Sequence, residues 1–349
     1  MLEAIYLSLG IALAIYYAII MGANDAANSS SQPVGSGVMS LKSALTTFGI
    51  AATIGALVQG RMVMITVGKG VVEPISALDA LLASIAAVLW ITLATWLKLP
   101  ISTSHTIVSS VLGIGIAKTI LGTSNELTIR WSLVEKIILS WVCSPAASIA
   151  LAYLLYQFFK RLAIYMMHQG WNVGKIFSAI VIASHLWGAY SFGANDIANA
   201  TGVYVTVASR VLGLPSQTAM TVLAAIGGGA IALGGFWWGH RVIGVVGFRI
   251  TRLDYITAAS AILSYAAIVW LFTTIPKLLI GYGMPISTTY VAVSSIVGAG
   301  IAAYGFRGIS WKLFLMIFLG WTLTLPIACG LSTGIQVLTY KFLPSEYIR

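Results

Sequence analysis

The chain of 349 residues is 59% hydrophobic and only 8% charged, with a mean hydropathy of +0.95. Soluble domains carry about a quarter charged residues, so this composition excludes a soluble globular protein. The recurring apolar runs near twenty residues point to an all-α polytopic membrane protein and not to the short alternating strands of a β-barrel. The net charge of +10 does not argue for nucleic acid, because Lys and Arg lie scattered through short connections, as they do beside membrane spans.

Ten segments are predicted in chain order: 3–22, 43–63, 76–97, 101–121, 134–158, 175–192, 217–240, 255–275, 284–304 and 311–339. Met1 to Met21 lacks a basic leader and a cleavage site, so it reads as the first span. The fourth and ninth segments both open with Pro-Ile-Ser-Thr and are rich in Ser, Thr and Gly, which suits broken or re-entrant helices. Cys143 and Cys329 fall inside apolar runs without metal or redox spacing and read as buried free thiols.

The two halves echo each other. GAND at 22–25 returns at 193–196, Asn28 returns as Asn199, and LPISTSHTIVSSVLGIG at 99–115 returns as MPISTTYVAVSSIVGAG at 284–300. SWVCSP at 140–145 is loosely matched by GWTLTLP at 320–326. The expected organisation is a first transmembrane repeat over 1–160, a connector over 161–174 and a second repeat over 175–349. Five segments per half is an odd number, so the second repeat is expected to be inverted.

Seven of the nine acids lie near segment ends or in connections, Asp79 among them; Asp25 and Asp196 alone belong to the duplicated motif. A carboxylate at membrane depth costs roughly 2.5–3.5 kcal/mol on insertion scales unless it has a partner. The bland alternative makes both Asp residues helix N-caps outside the bilayer. Asn24, Asp25 and Asn28 fit neighbouring turns of one short helix, as do Asn195, Asp196 and Asn199. Their oxygens suit a small hard cation, so these six residues are the candidate cation site, with Asp25 and Asp196 as the Na⁺ carboxylates. In PISTSHT, Pro suits a first helical turn and the free N–H groups beside it suit an oxyanion. Ser102, Thr103 and Ser104, with Ser287, Thr288 and Thr289 opposite, are the candidate phosphate-binding hydroxyls.

The paired GAND motifs, each followed by a Pro-Ile-Ser-Thr segment, resemble the inorganic phosphate transporter (PiT) family of secondary carriers over nearly the whole chain. The resemblance implies an inverted-repeat fold in the cell membrane, a phosphate site between the halves, cation-coupled symport, and often a homodimer. It implies no cofactor beyond the transported Na⁺ and phosphate, and no enzymatic activity; no Ser/His/Asp set, HExxH or Cys cluster is present. The His after the first Ser/Thr run is His105, but its second-half counterpart is Tyr290. Proton-coupled phosphate or metal–phosphate symport and sulfate permeation stay open as alternatives. A bare carboxylate facing the anion favours phosphate, which retains a proton to donate, over sulfate, which has none.

Overall fold

A computed structural model describes residues 2–68, 71–73, 75–122, 128–211, 217–281 and 283–342. Twelve α-helices appear among them: α1 (Leu2–Gly35), α2 (Leu41–Gln59), α3 (Arg61–Gly68), α4 (Ala77–Trp96), α5 (Thr103–Leu121), α6 (Trp131–His168), α7 (Val173–Val211), α8 (Gln217–Trp238), α9 (His240–Arg249), α10 (Tyr255–Ile280), α11 (Thr288–Tyr304) and α12 (Trp311–Phe342). Nine are long and apolar enough to cross a membrane, and α11 is a shorter apolar helix. The remaining regular structure among the described residues is one antiparallel pair, β1 (Val72–Glu73) on β2 (Thr128–Ile129), and a short 3-10 turn at Phe306–Gly308. The chain is therefore an all-α, multi-pass membrane protein.

Several predicted boundaries move, for one physical reason. Hydropathy ends the first segment at residue 22, yet α1 continues through Ser29, Ser30, Ser31 and Gln32, all fully buried. A polar stretch stays helical at membrane depth when protein, not lipid, surrounds it. The sixth segment likewise extends from 192 to the end of α7. The two GAND motifs thus sit well inside long helices, not on short ones and not at N-caps. Residues 161–168, assigned to the connector, are the last turns of α6, and the link to α7 is only Gln169–Asn172. The second and seventh segments are the ones that break, at Gly60 between α2 and α3 and at Gly239 between α8 and α9. Cys143 is exposed and Cys329 partly so; an apolar run in a membrane helix also marks lipid contact, so the buried-thiol expectation fails.

The halves interlock. α1 packs on α8 and α2 on α7, while α5 packs on α12 and α11 on α6. The GAND glycines permit the first two contacts. A Cβ on Gly22 would collide with the Ile231 backbone of α8, and one on Gly193 with the Ala52 backbone of α2. Small residues of this kind let membrane helices approach closely. Gly113 meets the Cys329 backbone and Gly298 the Ile149 backbone in the same paired way.

Asp79 does not flank a span but lies fully buried in the first turn of α4. Its carboxylate caps Ser76 N at 2.8 Å, ion-pairs with Lys118 of α5 and accepts from Gln336 Nε2 of α12 at 2.8 Å. This closed network ties three helices together, and burial is tolerable because every charge in it is paired.

Candidate functional site

The Pro-Ile-Ser of each PIST stretch lies outside the helices, and a helix begins at its Thr. Ser102 (φ −84°, ψ 115°) caps α5 by accepting from His105 N at 3.2 Å, and Ser287 (φ −88°, ψ 98°) caps α11 by accepting from Tyr290 N at 3.3 Å. Pro100 and Pro285 therefore precede the helices; they do not occupy the first turn. The N–H groups of Thr103, Ser104, Thr288 and Thr289 occupy the first two helical positions, where no helix carbonyl reaches them.

Two amides hold these stretches in place. Asn24 Nδ2 donates to Thr95 Oγ1 (3.1 Å) and Leu99 O (3.0 Å), while its Oδ1 accepts from Ile101 N (3.2 Å). Asn195 repeats the pattern with Thr273 Oγ1 (2.8 Å), Met284 O (3.0 Å) and Ile286 N (3.3 Å). Both amides are thus spent as braces. The other pair reaches across the halves. Asn28 Nδ2 donates to Thr288 Oγ1 and Thr289 Oγ1, both at 3.3 Å, and Asn199 Nδ2 donates to Ser104 Oγ at 2.9 Å and Thr103 Oγ1 at 3.5 Å.

The carboxylates sit where the two helix starts meet. Asp25 accepts from Thr103 Oγ1 at 2.9 Å and from Thr289 Oγ1 at 3.1 Å, one hydroxyl from each half. Asp196 accepts from Thr288 Oγ1 through Oδ2, and its Oδ1 is buried with no protein partner. The starts also bond each other directly: Ser104 Oγ donates to Ile286 O at 2.9 Å and Thr289 Oγ1 to Ile101 O at 3.1 Å. All twelve residues singled out from the sequence converge here, and none is more than 3% exposed. Among the described residues no Lys or Arg bonds either carboxylate, and the one ion pair is Asp79–Lys118.

Sequence reasoning missed the residues that frame this centre. Tyr17 OH donates to Thr103 O at 2.9 Å. Trp321 Nε1 donates to Pro100 O at 2.9 Å, and Ser140 Oγ donates to Pro285 O at 3.2 Å. The loose match of SWVCSP to GWTLTLP was the available signal, since it places Trp141 and Trp321 in paired positions. His105 Nδ1 lies 3.0 Å from Tyr290 OH, so the departure from a second His is a bridge between the two helix starts. No periodicity marks Thr95 or Thr273; only the fold brings them to the braces.

Hydroxyl-capped helix starts meeting two buried carboxylates at the interface of interlocked, multi-pass halves define a membrane carrier for a small oxyanion. Comparison with known proteins narrows the class: residues 21–332 match the phosphate transporter family, and the chain belongs to that family. It is 28% identical to a protein of Pyrococcus horikoshii provisionally named a phosphate permease, over 90% of this chain and 93% of that one. A similarly named protein of Methanocaldococcus jannaschii is 28% identical over 93% of this chain and 95% of its own length. The fold matches a solved structure of a sodium-dependent phosphate transporter with a TM-score of 0.82 and 26% identity, covering 97% of this chain and all of that one. Function as a transporter, not an enzyme, follows from this membership.

Proposed function

We propose that this chain moves inorganic phosphate across the cell membrane by symport with Na⁺, using the centre built on Asp25 and Asp196. The observation that carries the reading is the pair of fully buried carboxylates with no cationic side chain bonded to them among the described residues. Ionised carboxylates at such depth need a counter-charge, and an all-oxygen shell suits Na⁺ better than a softer metal. The sodium dependence stated for the matching solved structure points the same way.

Coupling follows from shared hydroxyls. Thr103, Thr289 and Thr288 now donate to the carboxylates. A cation on Asp25 and Asp196 satisfies those oxygens and releases the three hydroxyls. They then join the first-turn N–H groups and Ser104 in binding phosphate between the positive ends of α5 and α11. Asp196 Oδ1, the unpartnered acceptor, accepts a hydrogen bond from the proton that phosphate still carries, which sulfate lacks. The halves 1–160 and 175–349 are read as inverted repeats that rock about this centre to change access. Asn24 and Asn195 act as braces that shape it, and Ser102 and Ser287 as caps.

The test is radiolabelled phosphate uptake into proteoliposomes under an imposed Na⁺ gradient, against an imposed proton gradient, with excess sulfate as competitor. Uptake driven by Na⁺ and indifferent to sulfate supports the proposal. Uptake driven by protons alone makes the aspartates proton carriers instead, and accumulation of sulfate overturns the substrate.

A further inference from the structure

Away from the transport centre, the end of α4 and the face of α9 line an open surface pocket of about 640 Å³ with a different character. Lys98, His240, Arg241 and Arg249 line it, with Trp96 on its wall. No carboxylate pairs with any of these cations among the described residues. The Arg241 guanidinium lies 5.4 Å from the centre of the Trp238 ring, which holds it without neutralising it. Trp96 is 61% exposed, as an aromatic anchor at a membrane interface would be.

Backbone geometry singles out Lys98. It is the one described non-glycine residue with a positive φ, 62°, and it ends α4 through Lys98 N to Thr95 O (3.0 Å) and Leu99 N to Ala94 O (2.9 Å). Helix ends of this form favour glycine at the left-handed position. The end of α10 places Gly281 in the left-handed region, at φ 83°. A lysine accepts steric strain at this position, and its side chain lines the cationic cavity.

We propose that this cavity is a second anion site, one that binds a phosphate group through Lys98, Arg241 and Arg249. The ligand is either the headgroup of an anionic phospholipid or a free phosphate ion. Basic cavities between membrane helices are suited to lipid phosphates, and Arg forks match phosphate oxygens two at a time. The site adjoins the transport centre through the chain: Leu99, next to Lys98, has its carbonyl held by Asn24. An occupied cavity therefore steadies the stretch leading into Pro-Ile-Ser-Thr.

The experiment uses the purified full chain in detergent with two probes, phosphatidylglycerol against phosphatidylcholine by native mass spectrometry, and radiolabelled inorganic phosphate by equilibrium binding. Lys98→Gly and the pair Arg241→Gln with Arg249→Gln are compared with the parent chain. Each lost cation is expected to weaken retention of the anionic probe about fivefold. Lys98→Gly should raise or preserve thermal stability in lipid-free detergent, because it relieves the left-handed strain; a merely structural lysine would not combine a firmer fold with weaker binding. Loss confined to phosphatidylglycerol identifies a lipid headgroup, and loss confined to inorganic phosphate identifies the free ion. If both probes bind the variants as they bind the parent, the proposal is overturned.

Discussion

Replacement of Asp25 by Asn separates the role of its charge from the role of its shape. Asp25 accepts two hydroxyls, from Thr103 and Thr289. The new amide keeps one acceptor oxygen and turns the other position into a donor. Thr289 has a second acceptor in Ile101 O at 3.1 Å, so its hydroxyl can swing there and accept from the new amide. Thr103 keeps its bond to the remaining oxygen. One charge-assisted bond becomes a neutral one, a loss of about 1 kcal/mol, and removal of an unpaired buried charge offsets it. The fold should therefore survive in cation-free buffer with a near-parental melting temperature. Cation linkage should not survive. A ligand at a hundred times its dissociation constant stabilises the parent by about 2.7 kcal/mol, and Asp25→Asn should show none of that Na⁺-dependent gain. Thermal melts over a Na⁺ series, paired with uptake, read both quantities. A variant that keeps the Na⁺ shift and the coupled uptake would refute the assignment of Asp25 as a coupling ligand.

Three further outcomes test the surroundings. Asn195→Ala strips partners from Thr273, Met284 and Ile286; it should cost about 3 kcal/mol at roughly 1 kcal/mol per bond, and weaken phosphate binding more than the Na⁺ shift, as calorimetry on the two ligands would show. Gly193→Ala forces a Cβ into the Ala52 backbone, which cannot swing aside; loss of folded protein in fluorescence-detected size exclusion is expected, whereas the same change at Gly229, with nothing within 4 Å, should be tolerated. Lys118→Met leaves Asp79 charged and buried among Ser76 and Gln336, and should lower stability by about 3–5 kcal/mol. Adding Asp79→Asn to it should recover much of that loss.

Much of the candidate centre was legible because duplication marks it. A single Asp in an apolar run has many explanations, but Asp25 and Asp196 in matched GAND contexts, each paired with a PIST stretch, converge on one place in the fold. The division of labour was not legible. Asn24 and Asn28 look equivalent as oxygen donors in the sequence, yet one braces its own loop and the other reaches the opposite half. Four residues along a helix exceed one 3.6-residue turn by too little to choose a face without knowing what packs there. Asp79 was misplaced for the opposite reason. Its partner Lys118 lies on another helix, and no linear pattern pairs them. The breaks at Gly60 and Gly239 were hidden because hydropathy registers composition and not backbone direction.

The cross-half bonds explain why one motif would not suffice. Asp25 is held by Thr103 of its own half and Thr289 of the other, and the two helix starts exchange hydroxyl–carbonyl bonds through Ser104 and Thr289. Any motion that parts the halves must break the Ser104 bond to Ile286 O and the Thr289 hydroxyl's contacts with Asp25 and Ile101 O, and it leaves Asp25 with Thr103 alone. At about 1 kcal/mol for the neutral Ser104 bond and about 1.5–3 for the single Thr289 proton that Asp25 and Ile101 share, the closed centre resists opening by roughly 2.5–4 kcal/mol before water or ligand replaces them. A cation that satisfies the carboxylates and an anion that satisfies the hydroxyls each remove part of that resistance, but only together do they satisfy both sets. On the proposed symport, coupling is a hydrogen-bond accounting problem: either ligand alone strands the partners of the other, so the barrier is low when both are aboard and high when only one is.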